Sequence, residues 1–221
     1  MWKMGYFTKG DNMQSVKNYT KERLDDIEMM LNIIDADDAK IDYQLMLKSS
    51  VILMIYNSIE GTMSTLMEVL FDSLNRKELS LKNLPKKLKK IILKYHLKTI
   101  GNKADKLEGF AKNYNEKNCD ISYLEINKYL NLFSGNLDSR RIKEISEEFG
   151  IYFDLEEPFL LKVKNIRNSL SHGEKSFRVA CQDYTVNELK EGLEKTRTYL
   201  DKLIEAYGQF IQRLTDEESL R

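Results

Sequence analysis

The segment at residues 163–177, VKNIRNSLSHGEKSF, contains two side chains whose types suit chemistry on a phosphodiester. The guanidinium of Arg167 stays cationic and presents a fork of donors that matches the charge on phosphate oxygens. His172 follows five residues later and is one of only two histidines in the chain. Because an imidazole titrates close to neutral pH, this side chain could take or give a proton. The pair therefore suits cleavage of a phosphodiester bond.

The spacing of the two residues sets a geometric condition. Residues five apart on an α-helix differ by about 140° around the axis and by roughly 7.5 Å along it, so Arg167 and His172 are not stacked neighbours. Gly173 predicts the end of the helix directly after His172, where a long arginine could converge with the imidazole on one ligand.

The chemistry that fits these residues needs no metal. If the 2'-hydroxyl of an RNA attacks its own phosphate, no metal is needed to supply the nucleophile, and DNA, which lacks that hydroxyl, would be a poor substrate. The chain offers no convincing ligand cluster, since Cys119 and Cys181 lie far apart and form no CxxC motif. We therefore predict neither a metal nor a cofactor.

One histidine is a deficit for such a reaction, which ideally uses both a base and an acid. A symmetric dimer would supply the second imidazole by bringing two copies of the segment together.

An arginine followed five residues later by a histidine is common by chance, however. A helical regulatory subunit in which Arg167 and His172 simply pair with carboxylates stays open on these residues.

Two further residues could support the pair. Glu60 lies in an apolar stretch between Ile59 and Met63, where a carboxylate must find a partner or pay for desolvation. It could hold the guanidinium of Arg167, but an ordinary salt bridge within the bundle or an exposed glutamate fits equally well. Ser171 could bind a phosphate, and a capping or solvent-facing role is as good an interpretation.

A basic stripe follows Pro85 on a predicted amphipathic helix. Its lysines fall on the face opposite the apolar residues, and they are Lys86, Lys87, Lys90, Lys94 and Lys98. A solvated lysine face is one interpretation, and contact with an RNA backbone is the other. His96 lies beside the stripe, and we interpret it as a surface residue.

Composition indicates a single helical domain covering residues 1–221. Hydrophobic residues make up 42% and charged residues 32%, with two prolines and ten glycines among 221 residues. The formal net charge of zero does not indicate binding to nucleic acid or membrane by the whole surface. The longest apolar run, VILMIY at 51–56, is too short to span a bilayer, and the N-terminus has no signal-peptide h-region. The two cysteines, far apart in sequence, make a reducing cytoplasm the expected compartment.

Apolar periodicity predicts an all-α bundle of long antiparallel helices with an inserted region of loop and short helix. The first helix is predicted near 13–34 within an N-terminal unit 1–36, and a long buried helix follows the acidic break DADD. Residues 101–137 are expected to be a polar connecting region, in which ISYLEINKYLNLF is ambiguous between helix and strand. Predicted boundaries are a cap at Asn136 or Asp138, a stop at Gly150, Pro158 in a first turn, and a capping box of Thr185 with Glu188.

The chain resembles the HEPN superfamily, whose hallmark is an arginine, a polar residue and, a few residues later, a histidine near the end of a helix. Arg167, Asn168 and His172 match this motif, and the resemblance extends through NSIEGTMSTLME, FSGNLDSRRIKEISEEFGI and RNSLSHGEKSF. It covers residues 40 to 205 and points to the prokaryotic HEPN-like nucleases of defence and toxin systems.

The resemblance implies a function as well as a fold. It implies a metal-independent endoribonuclease that acts as a homodimer in a toxin-antitoxin or phage-defence setting, with an antitoxin or defence protein as a further partner. Arg167 and His172 become the catalytic pair, and Asn168 orients or supports them. Some members are inactive, so a non-catalytic module that binds RNA, a nucleotide or a partner protein is the alternative. The intact arginine and histidine favour activity.

Overall fold

A computed structural model describes residues 13–36, 41–76, 81, 84–100, 122–133 and 136–216. Eight α-helices and no β-strand lie in these residues, so the fold class is all-α, as the sequence predicts. The helices are α1 (Met13–Ala36), α2 (Ile41–Arg76), α3 (Lys86–Ile100), α4 (Tyr123–Leu130), α5 (Ser139–Phe149), α6 (Pro158–Ser171), α7 (Phe177–Ala180) and α8 (Val186–Asp216).

Three long helices, α1, α2 and α8, form the body of the bundle. Only residues 37–40 separate α1 from α2, and Thr20 hydrogen-bonds to Thr62 at 2.9 Å, so the two helices run antiparallel. The second turn of α8 meets the last turn of α1 through Lys190 Nζ and Asp35 Oδ2, 2.7 Å apart. Helix α1 is therefore antiparallel to both of its neighbours.

Helix α2 is the centre of this body. Its middle is buried around much of its circumference, as the near-continuous apolar sequence predicts. It contacts α1, α4, α6, α7 and α8, and the Tyr207 hydroxyl of α8 lies 3.8 Å from the Met63 sulfur and 3.7 Å from the Met67 sulfur. Side chains of α2 can therefore contact several other helices.

Most predicted helix boundaries are confirmed. Asp138 caps α5 by accepting from the backbone N–H of Arg141 at 2.9 Å, and Gly150 ends that helix with φ +87°. Pro158 occupies the first turn of α6. Thr185 and Glu188 exchange the backbone-to-side-chain hydrogen bonds of a capping box at the start of α8.

The connecting region is only partly described. Residues 101–121 of the predicted region 101–137 lie outside the described residues. The ambiguous ISYLEINKYLNLF contains a helix, α4, because Ser122 and Glu125 form a capping box at its start. Helix α3, which begins directly after Pro85, packs against α4 and α5 through buried Leu88, Ile91 and Ile92.

Candidate active site

The end of α6 fixes the backbone around His172. Gly173 has φ +70°, and its N–H donates to the Leu170 carbonyl at 3.2 Å. The N–H of Glu174 donates to the Ser169 carbonyl at 2.9 Å, which completes the Schellman pattern of a helix C-terminus. The Ser169 hydroxyl also donates to the Glu174 carboxylate at 3.0 Å. The backbone of His172 is thus fixed, because the residues before and after it are hydrogen-bonded to each other.

The segment after this turn is anchored to α2. Ser49 donates through its hydroxyl to the Phe177 carbonyl at 2.6 Å, and Lys48 donates to the Tyr184 carbonyl at 2.5 Å. Two adjacent residues of α2 therefore fasten both sides of the short helix α7. The exposed stretch that follows His172 is held at its far end as well.

The side chain of Arg167 contacts the ring of Tyr56 and the side-chain amide of Asn168. Its guanidinium carbon lies 4.7 Å from the centroid of the Tyr56 ring, at cation–π distance. Its Nη1 donates to Oδ1 of Asn168 at 3.0 Å. The side chain is half-buried, so the guanidinium is oriented before any ligand arrives.

Tyr56 connects Arg167 to the rest of the fold. Its ring is fully buried in α2, and its hydroxyl donates to Oε1 of Glu60 at 3.1 Å and accepts from the backbone N–H of Leu137 at 3.2 Å. Burial raises the pKa of Tyr56 to about 12, against the opposing effect of the Leu137 N–H. The hydroxyl therefore stays protonated and donates to the carboxylate.

Residues 136–138 form a strap across the motif, which we call the 136–138 strap. Asn136 accepts from Nδ2 of Asn168 at 3.1 Å, and Asp138 forms an ion pair with Lys164 of α6. Burial raises the pKa of Asp138, but the hydrogen bonds from Lys164 and from the Arg141 N–H outweigh it, so the pKa lies below its usual value. With Leu137 bonded to Tyr56, all three strap residues hold α2 or α6 in place.

The structure brings three of the sequence-predicted residues into one connected group. Glu60 and Arg167 both contact Tyr56, and Asn168 contacts Arg167. The expected support of Arg167 by Glu60 thus has a route through the tyrosine. His172 and Ser171 lie on the exposed end of α6, and within the described chain the imidazole of His172 makes no hydrogen bond or ion pair.

Sequence reasoning missed Tyr56 and assigned Asn136 only as a cap candidate. Tyr56 lies in the run VILMIY, whose other members are apolar, so the pattern predicts burial for it and no further role. The signal that could have found it is its position four residues before Glu60, on the same helix face. A buried tyrosine hydroxyl usually has a hydrogen-bonding partner, and the only carboxylate nearby in sequence was Glu60.

The five predicted lysines are exposed on α3. The helix that carries them packs against α4 and α5. Lys87 donates to the Glu147 carbonyl at 2.8 Å, and Lys98 donates to the Tyr129 carbonyl at 3.1 Å. His96 is more buried than its interpretation as a surface residue implied: it is half-buried beside the Tyr95 ring, and burial lowers its pKa.

Two features are absent from the described residues. No group of three or more histidine, cysteine or carboxylate side chains lies close enough together to hold a metal ion in the described ranges. In those ranges, too, no helix combines the length and apolar content that crossing a bilayer requires.

Comparison with known proteins gives one match. A family model described as HEPN_MAE_28990-like HEPN matches residues 13–215. No curated protein and no solved structure matches the chain. The matched range includes every residue of the group around Tyr56.

Proposed function

Because the chain belongs to the HEPN_MAE_28990-like family of HEPN proteins, we propose that it is a metal-independent endoribonuclease. The proposal rests on the orientation of the Arg167 side chain and on the exposure of His172. Arg167 is oriented between a buried ring and an amide, while His172 stands exposed on a fixed helix end. A pre-oriented cation and an accessible base at the end of one helix suit a reaction in which charge develops on phosphate oxygens.

In the proposed reaction, the 2'-hydroxyl of RNA attacks the adjacent phosphorus as an imidazole takes its proton. The bond from phosphorus to the 5'-oxygen breaks, and that oxygen receives a proton from an acid. The products are a 2',3'-cyclic phosphate and a 5'-hydroxyl. Arg167 stabilises the charge on the non-bridging oxygens during the attack.

The acid in this scheme comes from a second copy. One chain supplies one exposed motif histidine, and a homodimer would place two His172 side chains at one scissile bond. We place the activity in a toxin-antitoxin or phage-defence setting, with an antitoxin or defence protein as a partner, because the motif and its flanking segments resemble nucleases of those systems.

The test is cleavage of end-labelled RNA in excess EDTA by the wild type and by the Arg167→Ala and His172→Ala variants. We expect both substitutions to reduce the rate at least a hundredfold. The matched controls are Arg213→Ala, an exposed arginine on α8, and His96→Gln, which changes the only other histidine. A 2'-deoxy substitution at the cut nucleotide should abolish cleavage.

The same measurements distinguish the proposed nuclease from the alternative functions. Equal activity in wild type and both motif variants would contradict the catalytic assignment. RNA binding without cleavage by any folded variant would favour the non-catalytic HEPN module. A protein that cuts RNA while strictly monomeric would remove the argument for a composite site.

A further inference from the structure

A recess of about 540 Å³ lies between α3, α4 and α5. Its volume is within the range of about 300–1,000 Å³ that small-molecule sites occupy. Four apolar side chains are among its lining residues, and we call them its floor: Ile91, Leu97, Leu130 and Leu132. Leu97 is 64% exposed, which is unusual for a leucine on a helix that also contributes to the core. The floor therefore offers apolar surface to a ligand with a flat apolar face.

The rim of this recess is cationic. Lys94, Lys98 and Arg141 line it together with a single carboxylate, that of Glu148. Arg141 is fixed in place, because its Nη2 donates to the Leu132 carbonyl at 2.9 Å and its Nη1 to Glu144 at 3.1 Å. Lys94 and Lys98 are exposed, whereas Arg141 is already paired with the Glu144 carboxylate.

The other half of α3 faces a different environment. A neighbouring recess is lined by Lys87, Lys90 and Lys94, but also by three glutamates of α5, at positions 144, 147 and 148. The charges there balance, so this surface attracts a polyanion weakly. The start of the lysine stripe therefore faces three glutamates, whereas Glu148 is the only carboxylate that lines the recess toward Lys98; Lys94 and Glu148 line both recesses.

Chain connectivity places the cationic recess close to the motif. Leu132 lines the recess, and Asn136, four residues later, bonds to Asn168 beside Arg167. Four residues span at most about 14 Å even when fully extended. A strand of RNA a few nucleotides long could therefore occupy the recess and the motif together.

We propose that this recess is a nucleotide subsite for single-stranded RNA, with one base on the apolar floor and the flanking phosphates on Lys94 and Lys98. The inference rests on the proposed function and identifies the form of its substrate. Unpaired bases expose the flat faces that an apolar floor can hold, whereas a duplex keeps them stacked inside. A mononucleotide or a protein segment could use the same surface, and the test below distinguishes them.

The experiment measures binding of a fluorescent single-stranded RNA to the full chain carrying His172→Ala, which removes cleavage from the readout. The first variant adds Lys94→Gln and Lys98→Gln, and the matched control adds Lys17→Gln and Lys21→Gln. Both pairs are exposed lysines four apart, and α1 packs against α2 and α8, away from the recess. The third variant adds Leu97→Gln, which changes an exposed side chain and should fold normally.

We expect the Lys94 and Lys98 pair to weaken binding about tenfold and to reduce the slope of log affinity against log salt by about 1.4, since two phosphate contacts are lost. Leu97→Gln should weaken binding several-fold without changing that slope. The Lys17 and Lys21 pair should stay within about twofold of its parent. Duplex RNA and a mononucleotide should compete weakly.

Equal weakening by the two lysine pairs would overturn the subsite, because it would show attraction to diffuse charge alone. Unchanged binding of RNA by the Leu97 variant would overturn the proposed base contact. Tight competition by a mononucleotide would show that the recess binds a mononucleotide and not an RNA strand. In each case the parent chain with His172 restored would still cut RNA if the proposed function holds. A chain that neither binds nor cuts RNA would contradict both proposals, and a protein ligand would then be sought.

Discussion

The guanidinium of Arg167 lies 4.7 Å above the ring of Tyr56, a residue 111 positions earlier in the chain. The tyrosine cannot move toward or away from the arginine freely, because its hydroxyl is bonded to Glu60 on one side and to the Leu137 N–H on the other. Helix α2 therefore sets the position of the motif arginine, and the core sets the position of α2.

Replacing Tyr56 should separate the role of the ring from that of the hydroxyl. Tyr56→Phe keeps the ring beneath Arg167 but leaves the buried Leu137 N–H without its acceptor, at a cost of about 1–3 kcal/mol of unfolding free energy. We expect cleavage per folded molecule to stay within about threefold. Tyr56→Leu removes the ring and should lower cleavage about tenfold. Urea unfolding and initial rates on RNA measure the two effects, and equal activity of the two variants would show that the ring does not hold Arg167.

The amide pair should behave as one unit. Asn168→Ala removes the acceptor of Arg167 Nη1 and should lower cleavage about tenfold, whereas Asn136→Ala acts only through Asn168 and should cost about threefold. The double variant should be no slower than Asn168→Ala alone. Multiplying effects in the double variant would mean that Asn136 acts on its own.

The ion pair of Asp138 with Lys164 should make stability depend on pH. Because the pKa of Asp138 lies below its unfolded value of 3.8, the folded state binds a proton less tightly than the unfolded state. The stabilisation is therefore present above about pH 4 and is lost as the pH falls through the folded pKa. Asp138→Asn retains an N-cap oxygen and should lose about 1 kcal/mol at pH 7. The unfolding free energies of wild type and variant, followed by urea titration, should converge below pH 3.8. A constant difference across this range would exclude the charge as the cause.

Substitution by alanine should have opposite effects on stability at Gly192 and Gly208, two glycines of α8. A Cβ at Gly192 would lie 2.2 Å from Cζ of Phe159, a buried ring of α6, so Gly192→Ala should destabilise the fold by about 3 kcal/mol. A Cβ at Gly208 would meet only ordinary contacts at 3.6 Å or more, so Gly208→Ala should stabilise it by about 0.5 kcal/mol. Thermal unfolding of the two single variants tests the contrast. A stable Gly192→Ala protein would mean that α6 can shift away from α8.

Local chemistry made the helix boundaries predictable. Asp138, Gly150, Pro158 and Gly173 each act through their own backbone or through residues a few positions away, so their effect is readable from sequence. The segment ISYLEINKYLNLF was ambiguous only because its periodicity is short, and the capping box at its start decides it.

The surroundings of the motif were not predictable in the same way. The contacts from Tyr56 to Arg167 and from Asn168 to Asn136 join residues far apart in sequence, and no spacing rule connects them. The lysine stripe shows the same limit. Helical periodicity placed its members on one face, but only packing against α5 puts glutamates opposite Lys87 and Lys90.

The closed end of α6 also bears on the thermodynamics of binding. Histidines on an exposed helix terminus usually sample many backbone conformations, and a ligand must then select one of them at an entropic cost of about 1–2 kcal/mol for each residue that becomes fixed. Here the Schellman bonds at Gly173 and Glu174, and the anchoring of Phe177 by Ser49, restrict that ensemble during folding. The conformational entropy of the backbone around His172 is consequently lost when the chain folds, so a ligand that binds there fixes little further backbone motion.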